Sequence, residues 1–402
     1  MKILILANFP SKLDGKLNGR FVYLSDMLFK RGHEVEMIVS DFYHIEKKHR
    51  SHGDMRPDLY PFKITYLHEP GYPNNIHPKR LWSHYVWGKN VAKYLKAMSY
   101  TPDLIYVDLP SLTVARSAAS YCKKKNVPMF IDVQDLWPEA FLVKFKNPFI
   151  QMCFKPMAWY ANGAYKAADL MIGVSDTYRD RGLMVNKKDN KGLTVYLGND
   201  GERFNTARDI NIVSKPQDEF WLAYIGTMGY SYDIKCAIDA VKKVNEDKLL
   251  DKKVKFIAMG KGPLLEEYKQ YAMNAKIEYD FTGALPYDQM VGLMCSCDAV
   301  INCLRPGAAQ SITNKVGDYA LSGLPVINTQ ENLEYRELVD MFQCGINCEC
   351  GNSIQVADAI IKLATNEEMR IEMGKNARRL GNERFDRRIS YLKLIEAIEK
   401  YN

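Results

Sequence analysis

Ser311-Ile312-Thr313-Asn314-Lys315-Val316-Gly317-Asp318-Tyr319-Ala320-Leu321-Ser322-Gly323-Leu324-Pro325-Val326-Ile327 reads as a polar loop, a short helix, a glycine that ends it and a buried strand. A helix running straight into an apolar strand is half of a βαβ unit, the building block of parallel sheets covered by helices. Upstream the alternation repeats. Apolar runs at 221–225, 254–259, 299–303 and 325–328 alternate with amphipathic stretches at 233–246, 263–273, 286–294 and 314–322. The first half has its own series, with apolar runs at 3–6, 35–39, 104–107, 129–133, 170–174 and 194–197 and amphipathic stretches such as 20–31 and 111–124.

Between the two series, residues 205–219 are polar and show no clear period. A domain boundary is expected there. The fold expected is α/β, two Rossmann-like halves facing a central cleft, with ligands outside the carboxyl ends of the strands. The final stretch, 367–400, reads as helical with a break near 381–385.

With 402 residues, 47% hydrophobic and 26% charged, the chain is outside the disordered, collagen-like and disulfide-scaffold classes. Its net charge of +7 is uneven. Residues 1–200 carry 29 basic and 19 acidic side chains, whereas 201–402 carry 26 and 29. A basic first half suits phosphate, anionic lipid or nucleic acid. The first apolar run is too short for a signal peptide, and no run approaches a spanning length of ~18 residues. Nine scattered cysteines form no C-x2-C pair, and all seven histidines precede residue 85. Free thiols in a cytoplasmic protein, and no metal site, are expected.

Several chemistries lack their motif. There is no G-x-x-x-x-G-K-[ST], no G-x-G-x-x-G after the first strand, no H-E-x-x-H and no G-x-S-x-G. What remains is a set of glycine-rich strand-end loops. The loop 10–20 ends in Gly19-Arg20 where a helix begins, and Gly226-Thr227-Met228-Gly229 stands in the equivalent place in the second half. Glycine lets backbone approach a ligand closely, and a helix N-terminus offers free N–H groups to a phosphate. A surface loop is the competing reading of the first. Lys315 and Asp318, three apart, share a helix face. Lysine there meets a diphosphate and aspartate accepts ribose hydroxyls; the competing reading is a local surface ion pair.

These residues resemble the nucleotide-sugar-dependent glycosyltransferases of the GT-B fold, retaining family 4, in the branch that builds bacterial O-antigen and capsular polysaccharides, including the fucosamine transferases. The resemblance spans almost the whole chain. The branch's donor motif, S-x-P-N-K-x-x-E-Y-x-x-x-G-x-P-V-I, is matched by Ser311, Asn314, Lys315, Asp318, Tyr319, Gly323, Pro325, Val326 and Ile327, with Thr313 in place of proline. Asp132-Val133-Gln134-Asp135-Leu136-Trp137-Pro138-Glu139 resembles its R-D-L-W-P-E segment. Ala168-Asp169, Val174-Ser175, Leu197-Gly198-Asn199-Asp200-Gly201 with Phe204, Gly260-Lys261-Gly262-Pro263 and Phe281-Thr282-Gly283 are similar to further signposts.

The resemblance implies a 1–205 acceptor domain, a 206–384 donor domain and a 385–402 helix packing back on the first. It implies sugar transfer with retention, without metal or cofactor, from a nucleotide diphosphate sugar, a UDP-sugar being expected. Lys315, Asp135 and Gln310 are the implied catalytic positions. Gly19, Arg20, Thr227, Gly229, Lys261, Gly262, Gly283, Ser311, Asn314 and Asp318 are the implied donor-binding ones. The chain departs from the family at Gln310 and Asp318, where it usually has two glutamates, and in lacking Arg and Lys between Gly226 and Tyr232. Arg20 or Arg305 is then an expected reinforcement for phosphate. Gln134 stands where many relatives have histidine.

Residues 71–100 hold five Lys or Arg and no acid, interleaved with Trp82, Tyr85, Trp87 and Tyr94. The acid-free stretch 141–160 mixes Lys144, Lys146 and Lys155 with Phe141, Phe145, Phe149, Phe154 and Trp159. Such mixtures suit an anionic membrane on the cytoplasmic side, and a saccharide or polyprenyl-diphosphate-linked acceptor is natural for this branch. A solvated helix face is the alternative. No nucleic-acid motif accompanies the charge. A nucleotide-sugar 2-epimerase on the same fold and a non-catalytic nucleotide-binding scaffold are the competing functions.

Overall fold

The first unit of the chain is built on a seven-stranded sheet, and the second on a six-stranded one. The computed structural model describes all residues except 52, 140, 142–146, 189–191, 247–249, 309–311 and 402. Its two units are Met1–Val195 with Tyr391–Asn402, and Tyr196–Ser390.

The first sheet comprises β1 (Lys2–Ala7), β2 (Glu34–Ser40), β5 (Lys63–Leu67), β6 (Leu104–Leu109), β7 (Met129–Val133), β8 (Leu170–Gly173) and β9 (Leu193–Thr194), with a separate hairpin of β3 (Phe42–Tyr43) and β4 (Lys48–His49). Its order is β5-β2-β1-β6-β7-β8-β9, every neighbour parallel. The second comprises β10 (Glu219–Ile225), β11 (Lys253–Met259), β12 (Glu278–Gly283), β13 (Ala299–Asn302), β14 (Val326–Asn328) and β15 (Gly345–Asn347), in the order β12-β11-β10-β13-β14-β15, also parallel. In each sheet the first strand lies inside and the chain later returns to its other side. The reversals fall between β1 and β6 and between β10 and β13, which is where such sheets bind ligands. Helices cover both faces, so β6 and β7 are buried at every residue and read as unbroken apolar runs.

Two boundaries differ from the sequence reading. The units divide at Val195/Tyr196, not at 205/206. The stretch around 205 is the helix Gly201–Asn211, capped by Asp200, whose Oδ1 accepts from Glu202 N and Arg203 N at 3.0 Å. Its buried Phe204 and Ala207 join the second unit's core, and it packs so closely on the helix Tyr287–Cys295 that a Cβ on Gly292 would lie 2.1 Å from the Asn211 carbonyl. At the other end, one π-turn at Gly381–Phe385 and the helix Arg387–Ser390 stay with the second unit. Arg387 there donates to the carbonyl of Leu197 at 2.9 Å. The return to the first unit begins at Tyr391, not 385. Leu394, Ile395 and Ile398 enter its core, and Arg31 grips Glu399 with two bonds of 2.7 and 2.9 Å.

The eight cysteines with described side chains are free. No described helix is long and apolar enough to cross a membrane.

Candidate active site

The carboxyl ends of β10, β11 and β12 meet backbone to backbone. Gly226 N donates to the Met259 carbonyl at 2.9 Å, and Gly260 N to that of Gly283 at 2.8 Å. A Cβ on Gly260 would stand 1.8 Å from the Gly226 oxygen, and its φ of +153° is a conformation only glycine adopts freely. Met228 N donates to the Lys261 carbonyl at 3.1 Å, and the Met228 carbonyl accepts from Leu264 N at 3.0 Å. The hydroxyl of Tyr224 braces the loop from below by donating to the Thr227 carbonyl at 2.8 Å. Packing thus requires glycine at 260 and at 262, where a Cβ would lie 2.3 Å from the Met228 carbonyl oxygen, and the φ of +123° favours it at 226.

The helix Asn314–Ser322 approaches this ledge with its first turn. Lys315 lies in that turn. Its ammonium is 3.9 Å from the ring centroid of Tyr232 and 4.2 Å from that of Tyr224, and a Cβ on Gly226 would sit 3.5 Å from its Nζ. The Nζ is buried and has no hydrogen-bond partner among the described residues. Burial pushes its pKa down to about 7, against a small opposing pull from Cys303. Two ring faces offer a cation about 1–2 kcal/mol each at best, far less than the lost hydration. An anion beside Gly226 would supply what is missing.

Asp318 is one turn further along. Its Oδ1 accepts from Tyr287 Oη at 2.8 Å and Asn199 Nδ2 at 2.7 Å. Burial pushes this carboxyl up to about 7, opposed by the Tyr287 bond and the charge of Arg387. No ion pair joins Lys315 and Asp318, and both side chains are buried, so the surface ion-pair reading is set aside. An amine and a carboxyl stand on one helix, each held by its own neighbours.

Of the other residues singled out from sequence, Thr227, Lys261 and Asn314 are exposed at the same strand ends, Gly229 is buried and Gly262 and Gly283 are partly exposed. Arg305 donates to the carbonyl of Tyr232, the residue whose ring covers Lys315. Gln310 and Ser311 lie outside the described residues. Arg20 is a correction. It is buried in the first unit, its Nε on Asp132 at 2.5 Å and its Nη1 on the Val195 carbonyl at 2.8 Å, with its guanidinium over the ring of Tyr391. The side chain expected to reinforce phosphate binding instead neutralises a core aspartate, which also accepts from Tyr106 at 2.7 Å. Gly19 caps that helix with φ of +84°. Asp135, also in the first unit, accepts from Trp137 Nε1 at 3.2 Å and is raised by burial.

Sequence reasoning missed Tyr224, Tyr232 and Tyr287, which no motif marks. It also missed a buried amide ladder across the ends of β13, β14 and β15, in which Asn302 donates to Asn328 and Gln330 at 3.0 Å and Asn328 to Asn347 at 2.8 Å. In the first unit the matching edge is polar and unsatisfied. Asn8 after β1 and Ser111 after β6 are buried with side-chain atoms lacking partners among the described residues. Beside them Arg80 lies over Trp137 (4.5 Å), Phe9 (5.6 Å) and Tyr72 (5.4 Å). The second unit's hollow lined by Asp200, Arg203 and Asp288 sits between helices 201–211 and 287–295, and Lys315 does not line it.

Residues 205–380 match the model of the glycosyl transferases group 1 family. This match lies within the second unit. Solved structures share the fold over the whole length. HepE of Anabaena, determined in complex with UDP, is 16% identical over 100% of both chains with a TM-score of 0.68. The sucrose-phosphate synthase of Thermosynechococcus elongatus is 15% identical over 99% of this chain and 98% of that one, TM-score 0.70. A putative UDP-N-acetylglucosamine 2-epimerase of Listeria monocytogenes is 12% identical over 100% and 96%, TM-score 0.62. No curated protein sequence matches the chain significantly. A sucrose-phosphate synthase and a putative epimerase thus share this fold.

Proposed function

We propose that the protein transfers a sugar, with retention and without a metal, from a UDP-sugar to a saccharide carried on polyprenyl diphosphate in surface polysaccharide assembly. The observation that carries this reading is the buried, unpartnered ammonium of Lys315 beside the Gly226 turn, with the Asp318 carboxyl one turn away. Lys315 meets the diphosphate and Asp318 the ribose hydroxyls. The bond from the anomeric carbon to the diphosphate oxygen breaks and its electron pair leaves on the phosphate. A phosphate oxygen then takes the proton from the acceptor hydroxyl attacking the same face. Lys315 and the first N–H groups of its helix stabilise the departing charge, the service a divalent cation gives elsewhere; losing one such group commonly costs on the order of 10²–10³ in rate.

UDP held by HepE, a protein of the same fold, supports uridine as the base. For the acceptor, unfilled hydrogen-bonding atoms of Asn8 and Ser111 suit sugar hydroxyls, and the Arg80–Trp137 pair suits a stacked ring with a negative substituent. Membrane docking has support from the helix Pro78–Ala97. Trp82, Tyr85, Lys89, Lys93 and Lys96 are all exposed and follow one another at three- and four-residue steps, one face of the helix. Trp87 and Tyr94, counted with them in the sequence, turn inward: Trp87 is in the core and Tyr94 donates to Glu36. Phe149 and Trp159 are exposed, and Phe145, Lys144 and Lys146 are outside the described residues. The second unit contains no histidine, against the acid–base pair an epimerase needs.

Incubation with a panel of UDP-sugars and lipid-linked saccharides tests the reading. Transfer to the lipid-linked saccharide supports it. Release of a free epimer, or nucleotide binding with no turnover on any acceptor, overturns it.

A further inference from the structure

Three side chains at the carboxyl edge of the first sheet converge with no role in the proposed transfer. Asp41 follows β2, His49 is in β4 and His68 follows β5. His68 Nδ1 lies 2.9 Å from Asp41 Oδ2, and His49 Nδ1 3.5 Å from Asp41 Oδ1. The imidazoles are stacked, 5.5 Å apart and 13° from parallel, and the three donor atoms lie within 4.8 Å of one another. Donors on a tetrahedral zinc ion, at ~2.0–2.1 Å from the metal, stand about 3.3 Å apart. The two histidine–carboxylate separations, each to its own oxygen of Asp41, lie on either side of that figure.

The backbone holds the group in place. Asp41 N donates to the Leu67 carbonyl at 3.0 Å, next to His68, and Arg50 N donates to the Asp41 carbonyl at 2.8 Å, next to His49. Glu69 N donates to Asp41 Oδ1 at 2.8 Å and orients the carboxylate. On its far side His49 Nε2 faces the Pro70 carbonyl at 3.3 Å, an acceptor that requires the ring to donate there. In the neutral ring Nδ1 then presents a lone pair to a carboxylate oxygen. Two acceptors face each other, and only a proton or a metal ion reconciles them. A histidine ligand fixed through its other nitrogen by a backbone carbonyl is the usual outer arrangement around protein-bound zinc. The neighbouring cation Lys48 is itself held by Glu46.

We propose that Asp41, His49 and His68 bind a divalent ion of the zinc class through one carboxylate and two Nδ1 atoms. The three ligands leave one tetrahedral position for water or an oxygen of a bound ligand. The ion ties the β3–β4 hairpin to the ends of β2 and β5.

The test is zinc titration of chelator-treated full-length protein by calorimetry, with cobalt as a spectroscopic probe. Wild type should bind one equivalent of zinc that the H49A/H68A variant does not, with D41N weaker by tenfold or more. Cobalt in the same site should give visible d–d bands without the near-ultraviolet band of a thiolate ligand. Zinc should also slow amide hydrogen exchange across 41–50 in wild type and not in the double variant, whose unchanged circular dichroism shows that it is folded. The proposal is overturned if wild type takes up no equivalent, if the double variant keeps it, or if the cobalt spectrum carries the thiolate band.

Discussion

Replacing Lys315 with methionine should stabilise the ligand-free protein and weaken nucleotide binding. Few substitutions move those two quantities in opposite directions. The folded state depresses the lysine from 10.5 to about 7. At about 1.4 kcal/mol per unit, holding the ammonium charged costs folding on the order of 4–5 kcal/mol at neutral pH. Methionine keeps the length of the side chain and its contact with Tyr224 and Tyr232 without the charge, and forfeits the ring–cation attraction. Swaps of buried charge for apolar groups recover about 1–4 kcal/mol, and each kcal/mol is worth roughly 2–4 °C in a unit of this size. The gain also has a direction in pH. The penalty is full below the folded pKa of about 7, shrinks as pH rises toward 10.5 and vanishes above it. The melting difference between variant and wild type should therefore be larger near pH 6.5 than near pH 9. Binding should move the other way. A charge-assisted bond to phosphate is worth about 1.5–3 kcal/mol, so UDP should bind about 10- to 150-fold more weakly. Differential scanning fluorimetry at the two pH values and calorimetric titration with UDP read both effects. A variant that melts below wild type throughout and binds UDP equally well would refute the assignment of Lys315.

A UDP-sugar should bind best near pH 7, because Lys315 must be charged and Asp318 ionised and both titrate at about 7. Affinity should fall about threefold one unit to either side and about 25-fold two units away. Tyr287→Phe removes the bond that holds Asp318 down, so in a binding titration across pH its acid limb should move to higher pH; an unmoved limb would remove Asp318 from the profile. Asp318→Asn keeps an acceptor for Tyr287 and Asn199, so melting should hold steady or rise while UDP-sugar affinity drops about tenfold or more; equal affinity would count against ribose recognition. Lys89, Lys93 and Lys96 changed together to Glu should reduce sedimentation with anionic vesicles and leave turnover of a soluble acceptor intact, and unchanged sedimentation would mark that face as merely solvated.

Parallel strands buried on both faces made the alternation of the two halves readable, since most of the long strands hold an apolar run, β12 with its Glu278 and Asp280 being an exception. Short edge strands such as β9 and β15 carry two or three residues and leave no such trace. The helix Gly201–Asn211 was read as linker because it buries few apolar side chains and leaves Ile210 exposed, so no period shows. Local order put Lys315 and Asp318 on one helix, but their partners come from 31 to 119 positions away and cannot be seen in a spacing. Arg20 failed for the same reason in reverse. Its glycine-flanked place at a helix start suggested a ligand, while its counter-ion is 112 residues on.

The positions of the unmet polar atoms argue for binding more directly than any motif. A buried donor or acceptor without a partner costs about 1–3 kcal/mol, and folded cores avoid it. Several buried carboxylates of this chain have such partners. Asp132 has Arg20 and Tyr106, Glu69 has Ser40 and Ser83, and Glu36 has Thr65, Tyr94 and Tyr100. Four described side chains of the second unit break the rule: Asn302, Thr313, Lys315 and Ser390. Three of the four lie at the carboxyl end of β13 or at the start of the helix that follows. In the first unit Asn8, Ser111 and Gln134 do the same after β1, β6 and β7, while Arg50, Tyr66, Arg80, His84, Trp87, Asp132, Glu139 and Tyr165 also have unmet atoms elsewhere. On the proposed function, those of the unmet atoms that lie at the strand ends beside the reversal point of each sheet would be met by phosphate and sugar hydroxyls.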